Sequence, residues 1–486
     1  MNPLKKLFKQ TFIYGVATVL PRMLSFLLLP LYTDILVTAG YGEVSVIFAW
    51  FAIFNVLLAY GMETAFFRFY HSSEDKSIVV STALVSILGS TFFFLIFALL
   101  FQDQIASFTK IDAKYIQYAI YILALDALVI VPFAWLRANE KPTRYAVIKI
   151  GNVVVNFGLN IFFLLFLPKI VVNDPDTFLN VLYRPNFEIS YIFISNLIAS
   201  GITLLLMLKL YFQRPYMFDI GLWKRMIKYA MPVMIAGIAF TINEVFDRIL
   251  LSELLPVDVA KSEVGKYSAC YRLALFMTLF ATAFRMGIEP FFFSHATSKD
   301  PQKTYAQITN YFIILGSIIL LGVVVFADIL KAVFIPNPDY WEAMPIVPLI
   351  VLASFCLGIY HNLSVWYKVT DRTKFGAYIS MAGAIITIGI NYVFIPNMGY
   401  YASAIATLAA YSSMMFLSYY FGKKYYPVPY NFRKIIFYLS ISIVFSILSF
   451  YVFNRNLIAG GILLLVFLAL TYKLENEALK KIFLKK

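Results

Sequence analysis

The chain has 486 residues, of which 61% are apolar and only 14% charged, with a mean hydropathy of +0.79. Soluble domains run about 45–50% apolar and about 25% charged, so this chain carries too little charge to cover a water-exposed surface. Its net charge of +14 therefore points to no nucleic-acid partner, and the composition predicts a polytopic membrane protein.

A helix needs about 20 mostly apolar residues to cross the hydrocarbon core. Fourteen stretches qualify, with cores at 10–32, 43–67, 78–101, 115–136, 145–167, 189–211, 229–251, 267–292, 305–330, 343–366, 376–395, 400–421, 435–453 and 457–473. They nearly tile the chain, so the expected fold class is all-α and polytopic, without a soluble domain. The first stretch follows Lys5, Lys6 and Lys9, but its length and its Pro21 and Arg22 argue against a cleaved leader. Cys270 and Cys356 lie in apolar runs, and His71, His295 and His361 are far apart. Neither set has metal-ligand spacing, so no metal and no cofactor is expected.

Orientation follows from the basic residues. With the N-terminus in the cytoplasm, inner segments hold 28 of the 40 Lys and Arg residues and outer segments eight. That bias predicts an even number of spans with both termini inside. Trp135, Trp223, Trp341 and Trp366 fall at the expected interfaces.

Nine charges lie within the spans: Arg22, Glu63, Asp126, Glu244, Asp247, Arg248, Arg272, Arg285 and Glu289. Each costs roughly 2.5–3.5 kcal/mol near the bilayer centre, so such groups face a bundle interior or a water-filled cavity. Asp126 reads either as a titrating relay or as a buried, hydrogen-bonded acid. Asn152, Asn156 and Asn160 form a polar stripe at four-residue spacing in the fifth span, suited to helix–helix hydrogen bonds or to sugar hydroxyls. Glu244 with Arg248, and Arg285 with Glu289, are four apart and share faces, as an intrahelical ion pair or a ligand site would require. Arg22 and Arg272 have no acid three or four positions away. Their partner is expected on another helix or on a ligand. Pro21, Pro132, Pro232, Pro290, Pro345 and Pro348 interrupt spans and free backbone groups.

Two segments repeat at an offset of about 230 residues. Trp135, Arg137, Thr143, Arg144 and Tyr145, then Gly158-Leu159-Asn160, match Trp366, Lys368, Thr373, Lys374 and Phe375, then Gly389-Ile390-Asn391. The repeat predicts two parallel six-helix lobes, 1–215 and 216–428, around a central cavity. Residues 429–486 add a helix pair and a basic cytoplasmic tail. Arginine stays charged and matches phosphate oxygens with a planar fork, so the intramembrane arginines Arg22, Arg248, Arg272 and Arg285 suit an anionic headgroup such as a lipid pyrophosphate. Glu63, Asp126, Glu244, Asp247 and Glu289 are candidates for H⁺ or Na⁺ coupling. A potential-driven step is the alternative, worth about 2.3 kcal/mol per charge per 100 mV.

The opening Tyr14-Gly15-Val16, Pro21-Arg22, Pro30-Leu31-Tyr32 and Tyr41-Gly42 resembles that of bacterial polysaccharide flippases. Gly265-Lys266-Tyr267-Ser268-Ala269 and Glu289-Pro290-Phe291 share the resemblance. These flippases belong to the multidrug/oligosaccharidyl-lipid/polysaccharide exporter superfamily. The resemblance implies two bundles around a V-shaped cavity, alternating access, and flipping of undecaprenyl-pyrophosphate-linked oligosaccharide across a bacterial inner membrane. It also implies partners among membrane lipids and other polysaccharide-assembly proteins. In related lipid II flippases, arginines on the first and eighth helices hold the pyrophosphate. Here Arg22 and Arg272 stand on those helices, with Arg248 a weaker correspondence. The drug-exporting branch often carries an acid on the first helix, where this chain has Arg22. The rival readings are an ion-coupled multidrug or metabolite antiporter of the same superfamily and a membrane polysaccharide polymerase or ligase. The short outer loops speak against an enzyme.

Overall fold

A computed structural model describes residues 3–213, 216–295 and 300–483. The described residues are about 88% helical and include no strand. Fourteen of these helical segments are long and apolar enough to cross a membrane. They are, as spans 1 to 14, Ile13–Ile35, Thr38–Ser72, Lys76–Leu100, Ala113–Ala138, Pro142–Asn173, Glu188–Phe212, Ile220–Leu254, Val257–Glu289, Pro301–Val325, Pro338–Val369, Lys374–Met398, Tyr400–Tyr425, Phe432–Val452 and Leu457–Asn476. Each overlaps one of the fourteen apolar stretches. Most run longer than those stretches, because the helix continues into the polar and aromatic residues at its ends.

Proline acts where its ring displaces the carbonyl four residues earlier. Span 1 breaks at Leu27, between Pro3–Phe26 and Leu28–Ile35, just after the Phe26 carbonyl that Pro30 displaces. Span 4 breaks at Val129, between Ala113–Leu128 and Ile130–Ala138, and Pro132 leaves the Leu128 carbonyl without its helical donor. The Tyr211 hydroxyl of span 6 donates to that carbonyl. Pro21 and Pro232, by contrast, lie inside unbroken helices. Span 2 breaks without proline, at Tyr60 and Gly61, both with positive φ. A Cβ on Gly61 would lie 2.4 Å from the Ala230 carbonyl oxygen, so glycine is required by both conformation and contact. Span 8 tightens into a 3₁₀ turn at Arg272–Ala274, between Val257–Tyr271 and Leu275–His295.

The chain divides into two compact units, Met1–Gly265 and Lys266–Lys486. In the first, Met62, Phe66 and Tyr70 of span 2, Val80 and Ile87 of span 3, and Val131 of span 4 form one buried cluster with Met226 and Ala230 of span 7. Further along, Ala49 and Ile53 of span 2 bury Ile249 of span 7. Span 7 thus packs along span 2 over several turns. In the second unit span 10 is the central helix, apolar on all sides and 83% buried over its most apolar window. It interlocks with span 9 through two glycines. A Cβ on Gly316 would meet the Phe355 ring at 2.2 Å, and one on Gly358 would meet the Phe312 ring at 2.5 Å. Each glycine seats the other helix's phenylalanine.

The repeated segments carry matching roles. Asn160 and Asn391 are both completely buried. Asn160 accepts from the Tyr32 hydroxyl at 2.9 Å, and Asn391 from Ser403 at 2.7 Å, so each ties its helix to another. Spans 13 and 14 are stapled by Glu475, buried and bound to Lys434 at 2.6 Å and to the Tyr438 hydroxyl at 3.0 Å. Large apolar side chains such as Phe92, Phe93, Leu100, Ile385 and Ile458 stand 65–76% exposed, as a lipid-facing surface requires.

Candidate functional site

The first unit contains a charged cavity of about 310 Å³ between spans 2, 4 and 7, lined by Glu63, Thr64, Phe67, Arg68, Ala134, Arg137 and Tyr229. The Tyr60–Gly61 break starts a new helical segment, Met62–Ser72, which carries Glu63 and Arg68. Arg137 comes from the segment of span 4 that follows Val129. The Arg137 guanidinium donates to Glu63 at 2.5 Å, and both side chains are nearly half exposed. So exposed a pair is worth no more than about 1 kcal/mol, and it gives up little on exchanging its partner for another anion. Arg68 lies over the Tyr229 ring, 4.3 Å from its centre, which leaves its guanidinium edge for hydrogen bonding. The cavity therefore holds two arginines against one carboxylate. Sequence reasoning had identified Glu63 alone. Arg68 and Arg137 lie at the ends of their apolar stretches, and no spacing links them.

Span 7 holds the densest set of polar residues. Arg248 donates to the Asp247 carboxylate and to the Glu244 backbone carbonyl, both at 2.9 Å. Asp247 is 3% exposed at its side chain and Arg248 12%. Asn243 is buried and donates to the Ala239 carbonyl, whereas Glu244 is exposed. The four-residue spacing brings Arg248 to the Glu244 backbone carbonyl, and Arg248 also pairs with the neighbouring Asp247. Arg22 is exposed on span 1. Asp126 accepts from Ser200 at 2.7 Å, an arrangement that holds its carboxyl against span 6. Asn152 donates to Thr203 at 2.9 Å, and Asn156 accepts from Asn160 at 2.6 Å. The stripe of span 5 is engaged in helix–helix and intrahelical bonds.

In the second unit, Arg285, Glu289, His361, Asn362 and Lys368 line a small cavity between spans 8 and 10. Glu289 pairs with Lys368 at 2.6 Å rather than closing an intrahelical pair with Arg285. Among the described residues Arg285 makes no recorded ion pair. His361 and Lys368 are seven apart, two helical turns, so their shared face was legible in the sequence. Their meeting with span 8 was not. Arg272 is half-buried in the 3₁₀ turn of span 8.

The family described as "Polysaccharide biosynthesis protein" matches residues 7–294, and the family described as "MatE" matches residues 232–393. Among curated proteins none matches the sequence significantly. The fold is similar to that of the lipid II flippase MurJ in an inward closed conformation, with a TM-score of 0.74, 15% identity, and 95% of this chain and 99% of that chain covered. It is similar to an inward-facing multidrug resistance MATE family transporter of the MOP superfamily, at a TM-score of 0.65 and 12% identity over 83% of this chain and 94% of that one. It is also similar to a MOP superfamily transporter from Pyrococcus furiosus, at 0.61 and 12% over 87% and 96%. On the family match across more than half its length, the chain belongs to the polysaccharide biosynthesis protein family, and it shares the fold of these transporters.

Proposed function

We propose that the protein flips undecaprenyl-pyrophosphate-linked oligosaccharide across a bacterial inner membrane by alternating access, with both termini in the cytoplasm. The observation that carries this reading is the cavity where Arg68 and Arg137 face a single exposed carboxylate, Glu63. A pyrophosphate offers the planar forks of two arginines several charged oxygens at once. It outcompetes one carboxylate that both water and a neighbouring charge already screen. The similarity to a lipid II flippase supports a substrate of the same kind, a sugar carried on a lipid pyrophosphate. Arg22, Arg248, Arg272 and Arg285 are further candidates for contact with the headgroup, whereas the bonds of Asn152, Asn156 and Asn160 assign that stripe to helix packing. Two six-helix lobes, 1–215 and 216–428, would move against each other, with 429–486 appended to the second.

Coupling, in this reading, runs through Glu63 and Glu289. Each is an acid in an ion pair with a basic partner on another span, Arg137 and Lys368 respectively. Binding of H⁺ or Na⁺ at either carboxylate would release that partner. Asp126, Glu244 and Asp247 are the remaining coupling candidates.

The test is reconstitution of the full chain with a fluorescent polyprenyl-pyrophosphate oligosaccharide and measurement of its appearance in the opposite leaflet. The wild type is expected to move it, and Arg68→Gln with Arg137→Gln to lower the rate roughly tenfold or more, since a charged hydrogen bond is worth about 1.5–3 kcal/mol. Unchanged rates in that variant would reject the site. The MatE match across 232–393 favours a second reading, an ion-coupled multidrug or metabolite antiporter. Pumping of a cationic dye, with no movement of the sugar lipid, would establish it instead.

A further inference from the structure

A second basic cavity lies apart from the one just described, at the ends of spans 4, 5 and 6. It encloses about 130 Å³, and its lining includes Trp135, Lys141, Arg144, Lys209 and Gln213 and no acidic residue. Each element contributes for a local reason. Span 4 ends at Ala138, and Pro142 starts span 5 in its first turn, where a missing N–H does no harm. The short connection therefore projects Lys141 and Arg144 beside the last turn of span 6, which carries Lys209. A cation there also complements the carbonyl end of that helix.

Two of the basic side chains, Lys141 and Arg144, are held rather than free to swing. Lys141 sits 4.5 Å from the centre of the Trp135 ring, and Arg144 donates to the Leu206 carbonyl at 3.3 Å. Among the described residues, Lys141, Arg144 and Lys209 form no recorded ion pair with a carboxylate. The indole N–H of Trp135 is buried and has no partner among the described residues. Three cations around a space of this size suit one phosphate group.

Around the cavity the surface turns apolar. Val147 is 65% exposed on span 5, and Leu205, Leu206 and Phe212 are 65%, 52% and 79% exposed on span 6. Charged residues at helix ends meet apolar residues at the depth where headgroups give way to acyl chains. A soluble phosphate would use the first feature and not the second.

We propose that this cavity binds the phosphodiester of an anionic glycerophospholipid, with its acyl chains along Leu205, Leu206 and Phe212. Basic pockets at the ends of spans recognise lipid headgroups in this way. The site is separate from the Glu63–Arg68–Arg137 cavity, so it stands whether or not the transported substrate is a sugar lipid.

The experiment uses the full chain in nanodiscs of phosphatidylcholine, with or without phosphatidylglycerol, and reads lipid retention by native mass spectrometry and thermal midpoint. Phosphatidylglycerol is expected to be retained and to raise the midpoint of the wild type. Lys141→Gln, Arg144→Gln and Lys209→Gln are each expected to weaken its binding about fivefold, and the triple variant to lose it. Lys473→Gln, an exposed basic residue on span 14, is expected to behave as wild type and controls for charge alone. Equal retention by the triple variant would overturn the proposal, as would an equal loss in Lys473→Gln. If inorganic phosphate added to phosphatidylcholine discs reproduces the midpoint shift and phosphatidylglycerol adds nothing, the ligand is a soluble anion and the lipid assignment fails. Should the triple variant fail to fold, the single Lys209→Gln retention measurement decides.

Discussion

Tyr211 shows how one hydroxyl repairs what a proline removes. Pro132 cannot donate to the Leu128 carbonyl, and water is scarce at this depth, so the Tyr211 side chain supplies the bond from span 6. Tyr211→Phe should lower stability by about 1–3 kcal/mol, the penalty of an unsatisfied buried acceptor, read as a fall in thermal midpoint in detergent. In a Pro132→Ala background the restored N–H can serve that carbonyl. The same change should then have little effect, and a full-sized loss in the double variant would show that the hydroxyl acts elsewhere. At the same scale Glu63 and Arg137 divide by exposure from Asp247 and Arg248. The first pair is nearly half exposed and the second almost entirely buried. Glu63→Gln should therefore leave stability nearly unchanged while altering the pH dependence of transport. Asp247→Asn should destabilise, because Arg248 loses a buried counter-charge. A Glu63→Gln protein with a wild-type pH profile would remove that residue from the coupling step.

Helices in this protein approach one another by glycine where backbones or rings must interpenetrate. Gly316 and Gly358 seat Phe355 and Phe312 between spans 9 and 10. Gly316→Val or Gly358→Val should each overpack the centre of the second unit and cost about 1–3 kcal/mol, measurable as a lower thermal midpoint. Spans 2 and 8 meet more closely still. A Cβ on Gly42 would lie 1.8 Å from the Lys261 carbonyl oxygen, and one on Gly265 would lie 1.9 Å from that of Thr38. Thr38 and Ser262 are hydrogen-bonded beside them at 2.7 Å, and Lys261 reaches Glu43 at 3.0 Å. These are the outer ends of both spans in the expected orientation. In the proposed alternating-access cycle, a substrate leaving on that side requires them to part. Gly42→Leu should hold these ends apart, raising cysteine labelling at a Ser262→Cys probe and lowering transport. Unchanged labelling would mean that the contact is not part of the gate.

At the scale of the whole molecule, the expected orientation predicts which side each loop faces. With Cys270 and Cys356 replaced, Lys110→Cys should react with an impermeant maleimide from outside and Lys423→Cys only after the membrane is opened. Labelling of Lys423→Cys in intact cells would reverse the topology. The fourteen spans, the paired asparagines of the repeat and the family resemblance were readable from residue order, because hydrophobic transfer and helical periodicity act locally along the chain. The charged cavity was not. Arg68 and Arg137 lie 69 positions apart and become neighbours only because Gly61 lets span 2 turn against Ala230, while span 4 restarts beyond Val129. Likewise Glu289 has an arginine one turn away, yet takes its ion-pair partner, Lys368, from another helix. Spacing can say which side chains share a face. Which face meets which is decided by packing between helices, a long-range balance that no stretch of sequence carries alone.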